Sequence, residues 1–217
     1  MVTNDRHILK LKDYKDATQY TYYPLIDRDF SSHKISSSKE KRRCSLSRSC
    51  SLIKDYVLTN DFDYFFTLTI KDDKRSDIEF ASKLINDSIK KYSKRLKNKC
   101  IEFKYIYVFE RQKKGGLHLH GYFSGFNDLY VNKFGHLSSL FFDSIGFQNF
   151  QDAKVCNPFY LIKYIIKEPL YELKHLFFRS RNLKKPKVSY LHDNFNEYFN
   201  FSFTFQNQFC KMVTIKK

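Results

Sequence analysis

Two alternating runs joined by a Gly-Gly turn constrain the fold of this 217-residue chain more than any other feature. Residues 102–110 read EFKYIYVFE, residues 117–123 read LHLHGYF, and RQKKGG lies between them. Aromatic and β-branched residues that alternate with polar ones are typical of strands, and a short Gly-containing segment between two such runs favours a hairpin. We therefore predict two antiparallel strands that meet at a turn near Lys113 and Lys114.

The second run of this hairpin carries two histidines one residue apart. Side chains of a strand alternate between its faces, so His118 and His120 share one face, and the turn sets Glu110 about opposite His118. Two imidazoles and a carboxylate suit a divalent cation, and a set of three leaves positions open for catalysis. The alternative is an ordinary strand with one face in solvent, and these residues alone leave both interpretations open.

The rest of the chain mixes strand-like and helix-like segments. We predict helices at 51–59, 77–96, 131–145 and 158–168, with Pro158 in the first turn of the last helix and Pro169 at its end. We predict strands at 63–70 and 147–155, and one or two late strands within 187–191 and 198–206. This order indicates an α+β fold with a largely antiparallel sheet.

Residues 31–51 divide the chain in two. The segment reads SSHKISSSKEKRRCSLSRSCS, which is rich in serine and basic residues and poor in large apolar ones. Such a composition is typical of a linker or a mobile basic arm. We therefore expect a basic N-terminal arm over residues 1–51 and one domain over residues 52–217, and leave open whether the arm contacts DNA.

Charge and cysteine content narrow the class of protein. The 39 Lys and Arg exceed the 23 Asp and Glu by 16, which favours a polyanionic partner such as nucleic acid or an anionic membrane, although an AT-rich genome could supply part of this lysine excess. Five cysteines without a C-x-x-C pair predict neither a disulfide framework nor a zinc knuckle. No apolar run has the length of a signal peptide or membrane span, so we expect a cytoplasmic protein.

The predicted helix at 158–168 carries a polar stripe. At 100° per residue its tyrosines and lysines fall in one narrow arc, and its aliphatic residues with Phe159 fall opposite. A tyrosine hydroxyl beside a cation is what attack on a phosphodiester needs, because Lys163 or a metal would favour the phenolate. An ordinary amphipathic surface helix is the alternative. The stripe comprises Tyr160, Lys163, Tyr164 and Lys167, and the opposite face comprises Phe159, Leu161, Ile162, Ile165 and Ile166.

Three motifs, in order and spacing, resemble those of the HUH endonucleases, specifically the rolling-circle replication initiators of phages and plasmids. They are FFTLTI at 65–70, Glu110 followed by HLH at 118–120, and YLIKY at 160–164. The resemblance spans about residues 60–168, and the paired tyrosines are similar to those of initiators from single-stranded DNA phages.

The resemblance implies a five-stranded antiparallel sheet with flanking helices, of the ferredoxin or RRM type. It implies Mg²⁺ or Mn²⁺ on His118, His120 and a carboxylate, for which Glu110 is the candidate. Tyr160 and Tyr164 are then the nucleophile candidates, with Lys163 as their electrostatic helper and the order in which the tyrosines act left open. The expected products are a 5′-phosphotyrosine and a free 3′-OH on single-stranded origin DNA, in the cytoplasm of a bacterial host.

Further basic residues suit phosphate contacts, although a solvated basic loop would look the same. The segment FFRSRNLKKPK at 177–187 has no acidic residue, and the chain has no G-x-x-x-x-G-K-[ST] phosphate loop, so we expect a helicase and a polymerase from the host or from separate proteins. A relaxase, a single-strand transposase or a non-catalytic nucleic-acid-binding module are the alternatives. The candidate DNA-binding residues are Lys167, Arg179, Arg181, Lys184, Lys185 and Lys187.

Overall fold

The computed structural model describes residues 7–24, 38–71, 76–112, 115–157, 159–192, 205–206 and 211–216. Within these ranges the chain is α+β, as expected, and none of its helices is long and apolar enough to cross a lipid bilayer. The helices are α1 (Ser38–Thr59), α2 (Ile78–Lys97) and α3 (Tyr160–Lys167). The strands are β1 (His7–Asp13), β2 (Ala17–Pro24), β3 (Tyr64–Ile70), β4 (Lys104–Arg111), β5 (Leu117–Ser124), β6 (Leu129–Val131), β7 (Leu137–Ser139), β8 (Gly146–Asp152), β9 (Phe178–Arg179), β10 (Lys187–His192), β11 (Phe205–Gln206) and β12 (Lys211–Lys216).

The chain forms two compact units. A terminal unit joins Met1–Ser37 to Lys185–Lys217, and a central unit comprises Ser38–Lys184. This division differs from the sequence-based boundary between residues 51 and 52, because the first strands of the chain pair with its last ones. In the terminal unit the order is β10-β1-β2-β12-β11, and all of these pairs are antiparallel.

The central unit is a five-stranded antiparallel sheet with helices on both faces. Its strand order is β8-β3-β5-β4-β9, which matches the expected sheet of five strands. Helix α2 packs through Ile85 and Ile89 on one face, against residues such as Leu68 and Leu119. Helices α1 and α3 pack on the opposite face, which also carries the two histidines.

The expected helix at 131–145 is wrong, because this segment forms a β-hairpin followed by turns. Strands β6 and β7 pair across a loop in which Gly135 has φ +77°. The Asn132 side chain accepts hydrogen bonds from the backbone N–H groups of Phe134 (2.9 Å) and His136 (3.1 Å). A positive φ and a side chain that bonds its own neighbouring backbone both favour a turn over a helix.

The interpretation of residues 31–51 as a linker is corrected for residues 38–51, which lie in α1. The C-terminal half of this helix buries Ile53 and Tyr56 in the core. Its N-terminal half is held by Arg42, whose guanidinium lies 5.4 Å from the Tyr171 ring centroid. Residues 31–37, the turn residues Lys113 and Lys114, and Pro158 lie outside the described residues.

The late strands are confirmed in part. Strand β10 lies at the expected position in 187–191, and β11 covers Phe205–Gln206 at the end of 198–206. Residues 198–204 lie outside the described residues. Strands β1, β2 and β12 were not expected, and they build most of the terminal sheet with Leu9 and Val213 buried in it.

Gly121 allows β4 and β5 to approach closely next to the histidines. A Cβ at this position would lie 2.5 Å from the Tyr107 Cβ and 2.7 Å from the Ile106 carbonyl oxygen. We therefore expect Gly121→Ala to lower the free energy of unfolding by about 1–3 kcal/mol, as overpacked cores do. Urea denaturation measures this change. Asn149→Ala, at an exposed position of β8, should change it by less than about 0.5 kcal/mol, and equal stability of both variants would contradict the account.

Candidate metal and tyrosine site

The hairpin register brings the three predicted ligands together. Glu110 of β4 lies directly opposite His118 of β5, as the sequence predicted, and His120 shares their face. One potential ligand atom from each of the three residues lies within 4.8 Å of the others. The side chains of His120 and Glu110 are 8% and 13% exposed, so the cluster is largely shielded from water.

Hydrogen bonds from neighbouring strands hold the two imidazoles. His120 Nε2 lies 2.9 Å from Glu110 Oε2, and its Nδ1 lies 3.1 Å from the hydroxyl of Thr67. His118 Nε2 lies 3.1 Å from the hydroxyl of Thr69. Partners of this kind fix the orientation of a ring and the tautomer it adopts, which a metal site requires.

The protonation states of the cluster suit a cation. Burial lowers the pKa of His120 to about 4, although the nearby Glu110 carboxylate acts in the opposite direction. Burial also lowers the pKa of His118. Burial by itself would raise the pKa of Glu110, but the hydrogen bond from Lys167 and the contact with His120 outweigh it, and the pKa is lowered. At neutral pH the site therefore offers neutral imidazoles and an ionised carboxylate, the forms that bind metals.

This donor set fits a divalent cation. Two nitrogen donors and one carboxylate oxygen are common to several metals, and three protein ligands leave positions for water or a substrate oxygen. The group could hold a metal ion, with His120 and Glu110 at its buried side and His118 nearer the surface.

Helix α3 is fixed to the same sheet at both ends. At its start, the Tyr122 hydroxyl of β5 donates to the Asn157 carbonyl oxygen at 2.6 Å, and that oxygen also accepts from the Tyr160 N–H at 3.0 Å. At its end, Arg111 of β4 forms an ion pair with Glu168 at 3.2 Å. These contacts place α3 over the ligand cluster.

The two tyrosines of α3 lie in different environments. The Tyr164 ring stacks on His120 with 3.9 Å between ring centroids and an interplanar angle of 4°. Burial, and next the charge of Glu110, raise the pKa of Tyr164. Tyr160 is 37% exposed, and its ring centroid lies 5.8 Å from that of Phe65. Tyr164 is therefore in direct contact with a candidate ligand, whereas Tyr160 borders the solvent.

The two lysines of the stripe also differ. Lys167 Nζ donates to Glu110 Oε1 at 2.6 Å. The Lys163 side chain is exposed and forms no hydrogen bond or ion pair with any part of the chain that the structure describes. The expected aliphatic face is only partly correct, because Leu161 and Ile165 are buried in the core whereas Ile166 is 58% and Phe159 is 44% exposed.

The other candidate DNA-binding residues lie apart from the ligand cluster. Arg179 of β9 places its guanidinium 4.5 Å from the Tyr56 ring centroid. Arg181 and Lys184 are exposed in the central unit, whereas Lys185 and Lys187 are exposed in the terminal unit.

The sequence interpretation did not assign a role to Thr67 and Thr69. They alternate in FFTLTI as the histidines do in LHLH, and the antiparallel pairing sets Thr67 opposite His120 and Thr69 opposite His118. Matching T-x-T to H-x-H across neighbouring strands could have found them. Tyr122 and Arg111 carried no such signal, because their partners lie on a helix distant in sequence.

One family model matches the chain. Residues 63–169, just under half of the sequence, match the model of the replication-associated protein ORF2 family. The match runs from the beginning of β3 to the end of α3, so it includes the ligand cluster and both tyrosines. No curated protein and no solved structure matches the chain significantly. The match supports a replication initiator of this general kind.

Proposed function

We propose that this chain nicks and rejoins single-stranded DNA at a replication origin, with the chemistry of an HUH endonuclease. The observation that carries the proposal is the parallel stack of Tyr164 on His120. A tyrosine against a candidate metal ligand is not needed for passive binding of nucleic acid. It is needed where a phenol oxygen and a phosphate must meet at one cation.

Glu110, His118 and His120 would hold the cation, for which Mg²⁺ or Mn²⁺ is proposed. When bound, the ion would supply Lewis-acid polarisation of the scissile phosphate. Thr67 and Thr69 keep the rings aimed through their hydrogen bonds. Lys167 holds the second oxygen of Glu110, so the carboxylate keeps its position while substrate enters.

Tyr164 is the residue that we assign to the first cleavage. Its phenol oxygen attacks the phosphorus and loses its proton to solvent, while the bond from phosphorus to the 3′-oxygen breaks and that oxygen takes up a proton. The DNA 5′ end is then joined to Tyr164 and a 3′-OH is free. One phosphodiester replaces another, so the bond energy is retained for rejoining without ATP.

Tyr160 is the proposed second nucleophile. It lies one helical turn before Tyr164, so both hydroxyls are on the same side of α3 and can serve one site in turn. After synthesis from the 3′-OH, Tyr160 would cleave the regenerated junction, and the new 3′-OH would attack the Tyr164 linkage to close a circle. Lys163 is exposed beside Tyr160 and would balance phosphate charge there.

Origin DNA, a helicase and a polymerase are the proposed partners, because replication from a nick needs an unwound template. A relaxase or a single-strand transposase would use the same chemistry on a different DNA. Sequencing the 5′ ends released from fragments of the parent replicon would separate these roles, since an initiator cleaves at one position in its own origin.

The first prediction concerns metal binding. Mn²⁺ at 100 times its dissociation constant should stabilise the protein by about 2.7 kcal/mol, seen as a higher melting temperature in differential scanning calorimetry. His118→Ala, His120→Ala and Glu110→Ala should each remove most of this increase. His136→Ala, at an exposed histidine of the β6–β7 loop, is the control and should keep it. Full stabilisation of the His120→Ala variant by Mn²⁺ would contradict the assignment.

The second prediction concerns the tyrosines. Tyr164→Phe should remove single-turnover formation of the covalent protein–DNA adduct, because the phenol oxygen is the attacking atom. Tyr160→Phe should still form the adduct but lose circle closure. A denaturing gel with labelled single-stranded DNA measures both. Tyr190→Phe, at a 54% exposed tyrosine of β10, serves as the control. Wild-type adduct formation by Tyr164→Phe would exclude this assignment.

The third prediction concerns affinity. A chain with a net charge of +16 should bind single-stranded DNA with log K falling by about 0.7 per neutralised phosphate for each decade of salt. Replacing Lys184, Lys185 and Lys187 with alanine should flatten this slope by up to about 2. Replacing the exposed Lys83, Lys90 and Lys91 of α2, on the opposite face of the central sheet from the tyrosines, should leave the slope unchanged. Equal slopes for both triple variants would exclude the 184–187 segment as a phosphate contact.

A further inference from the structure

Strand β8 exposes one complete face at the edge of the central sheet. Its inward residues are Gln148, which bonds Ser139 and Asp143, and Phe150, whose ring lies 4.5 Å from that of Phe66. Its outward residues Phe147, Asn149 and Gln151 are all exposed, and Phe147 is 67% exposed. A large aromatic side chain on an exposed strand face gains nothing from the core and is available to a ligand.

This face continues the one that carries the ligand cluster. Phe147 pairs with Thr69, which pairs with His118, and His118 pairs with Glu110. Asn149 likewise pairs with Thr67, which pairs with His120. Because neighbouring strands are about 4.8 Å apart, Phe147 lies roughly 10 Å from His118 across the sheet. A nucleic-acid strand with a phosphate at the cluster can place a neighbouring base at that distance.

The chemistry of this face suits unpaired bases. Lys71 places its ammonium 5.0 Å from the Phe147 ring centroid, so a cation for a phosphate lies beside a surface for stacking. The Asn149 amide, which carries donors and an acceptor, makes no hydrogen bond to the part of the chain that the structure describes. Aromatic stacking with amide contacts to base edges is how proteins recognise single strands.

We propose that the outward face of β8, defined by Phe147, Asn149 and Gln151, is a base-binding platform for the single-stranded DNA that enters the candidate active site. Phe147 stacks on a base next to the scissile phosphate, and Asn149 contacts the edge of an adjacent base. The proposal rests on the proposed function for its substrate, and it adds where the bases lie and which residues select them.

A tryptophan at position 147 tests the stack directly, because the chain has no tryptophan of its own. In Phe147→Trp, single-stranded oligonucleotide should quench the tryptophan emission in a saturable way, since base stacking brings the two rings into contact. Phe134→Trp is the matched control: Phe134 is 73% exposed, and Lys133 lies 5.1 Å from its ring centroid. Its emission should change little. Equal quenching of both, or none in Phe147→Trp while labelled DNA is bound, overturns the platform.

Affinity measurements with unlabelled protein provide the second test. Phe147→Ala should weaken binding by about fivefold or more, Phe147→Tyr should restore it to within about twofold, and Phe134→Ala should leave it unchanged. Asn149→Ala should reduce base preference at one position of a randomised oligonucleotide pool without changing preferences elsewhere. Loss of affinity that the tyrosine variant does not restore would indicate a role other than stacking and overturn the proposal.

Both tests are made on the intact chain in chelator, so they do not depend on DNA cleavage. Quenching without a covalent adduct in metal-containing buffer would retain the platform and contradict the proposed nicking. An adduct without quenching would retain the nicking and contradict the platform. If the variants instead associate with one another and DNA has no effect on their emission, the face is a protein contact and the proposal is wrong.

Discussion

The carboxylate of Glu110 is the group that joins the parts of this site. One of its oxygens lies 2.9 Å from His120 Nε2, and the other accepts from Lys167 Nζ at 2.6 Å. Glu110 is on β4, His120 on β5 and Lys167 on α3, so a single side chain connects the hairpin to the helix. A largely buried carboxylate is stable only when it is paired in this way.

The position of the tyrosines follows from that connection. Helix α3 is held at its beginning by the hydrogen bond from Tyr122 and at its end by Arg111 and Lys167, and Tyr164 is thereby pressed against His120. Everything on this face is arranged in rows across the sheet, because antiparallel pairing with period 2 aligns alternate residues. The same rule that gathers the ligands also carries the face outward to Phe147.

Much of the site could be predicted because its determinants are local. A tight hairpin fixes the register of Glu110 against His118, and helical periodicity sets Tyr164 one turn from Tyr160. The terminal sheet could not be predicted, since it pairs strands from opposite ends of the chain and short alternating runs do not specify distant partners. The false helix at 131–145 arose because apolar spacing there fits a helix, whereas Gly135 and the Asn132 side chain impose a turn.

Mapping the covalent adduct by mass spectrometry tests most directly whether the cluster and the helix form one active site. Trypsin separates the two tyrosines, because Tyr160 lies in the peptide 155–163 and Tyr164 in the peptide 164–167. After brief reaction with origin DNA and Mn²⁺, followed by nuclease digestion, a nucleotide mass should appear on 164–167 and should be absent in chelator or in His120→Ala. A nucleotide on a peptide outside α3, or the same adduct formed without metal, would contradict the account.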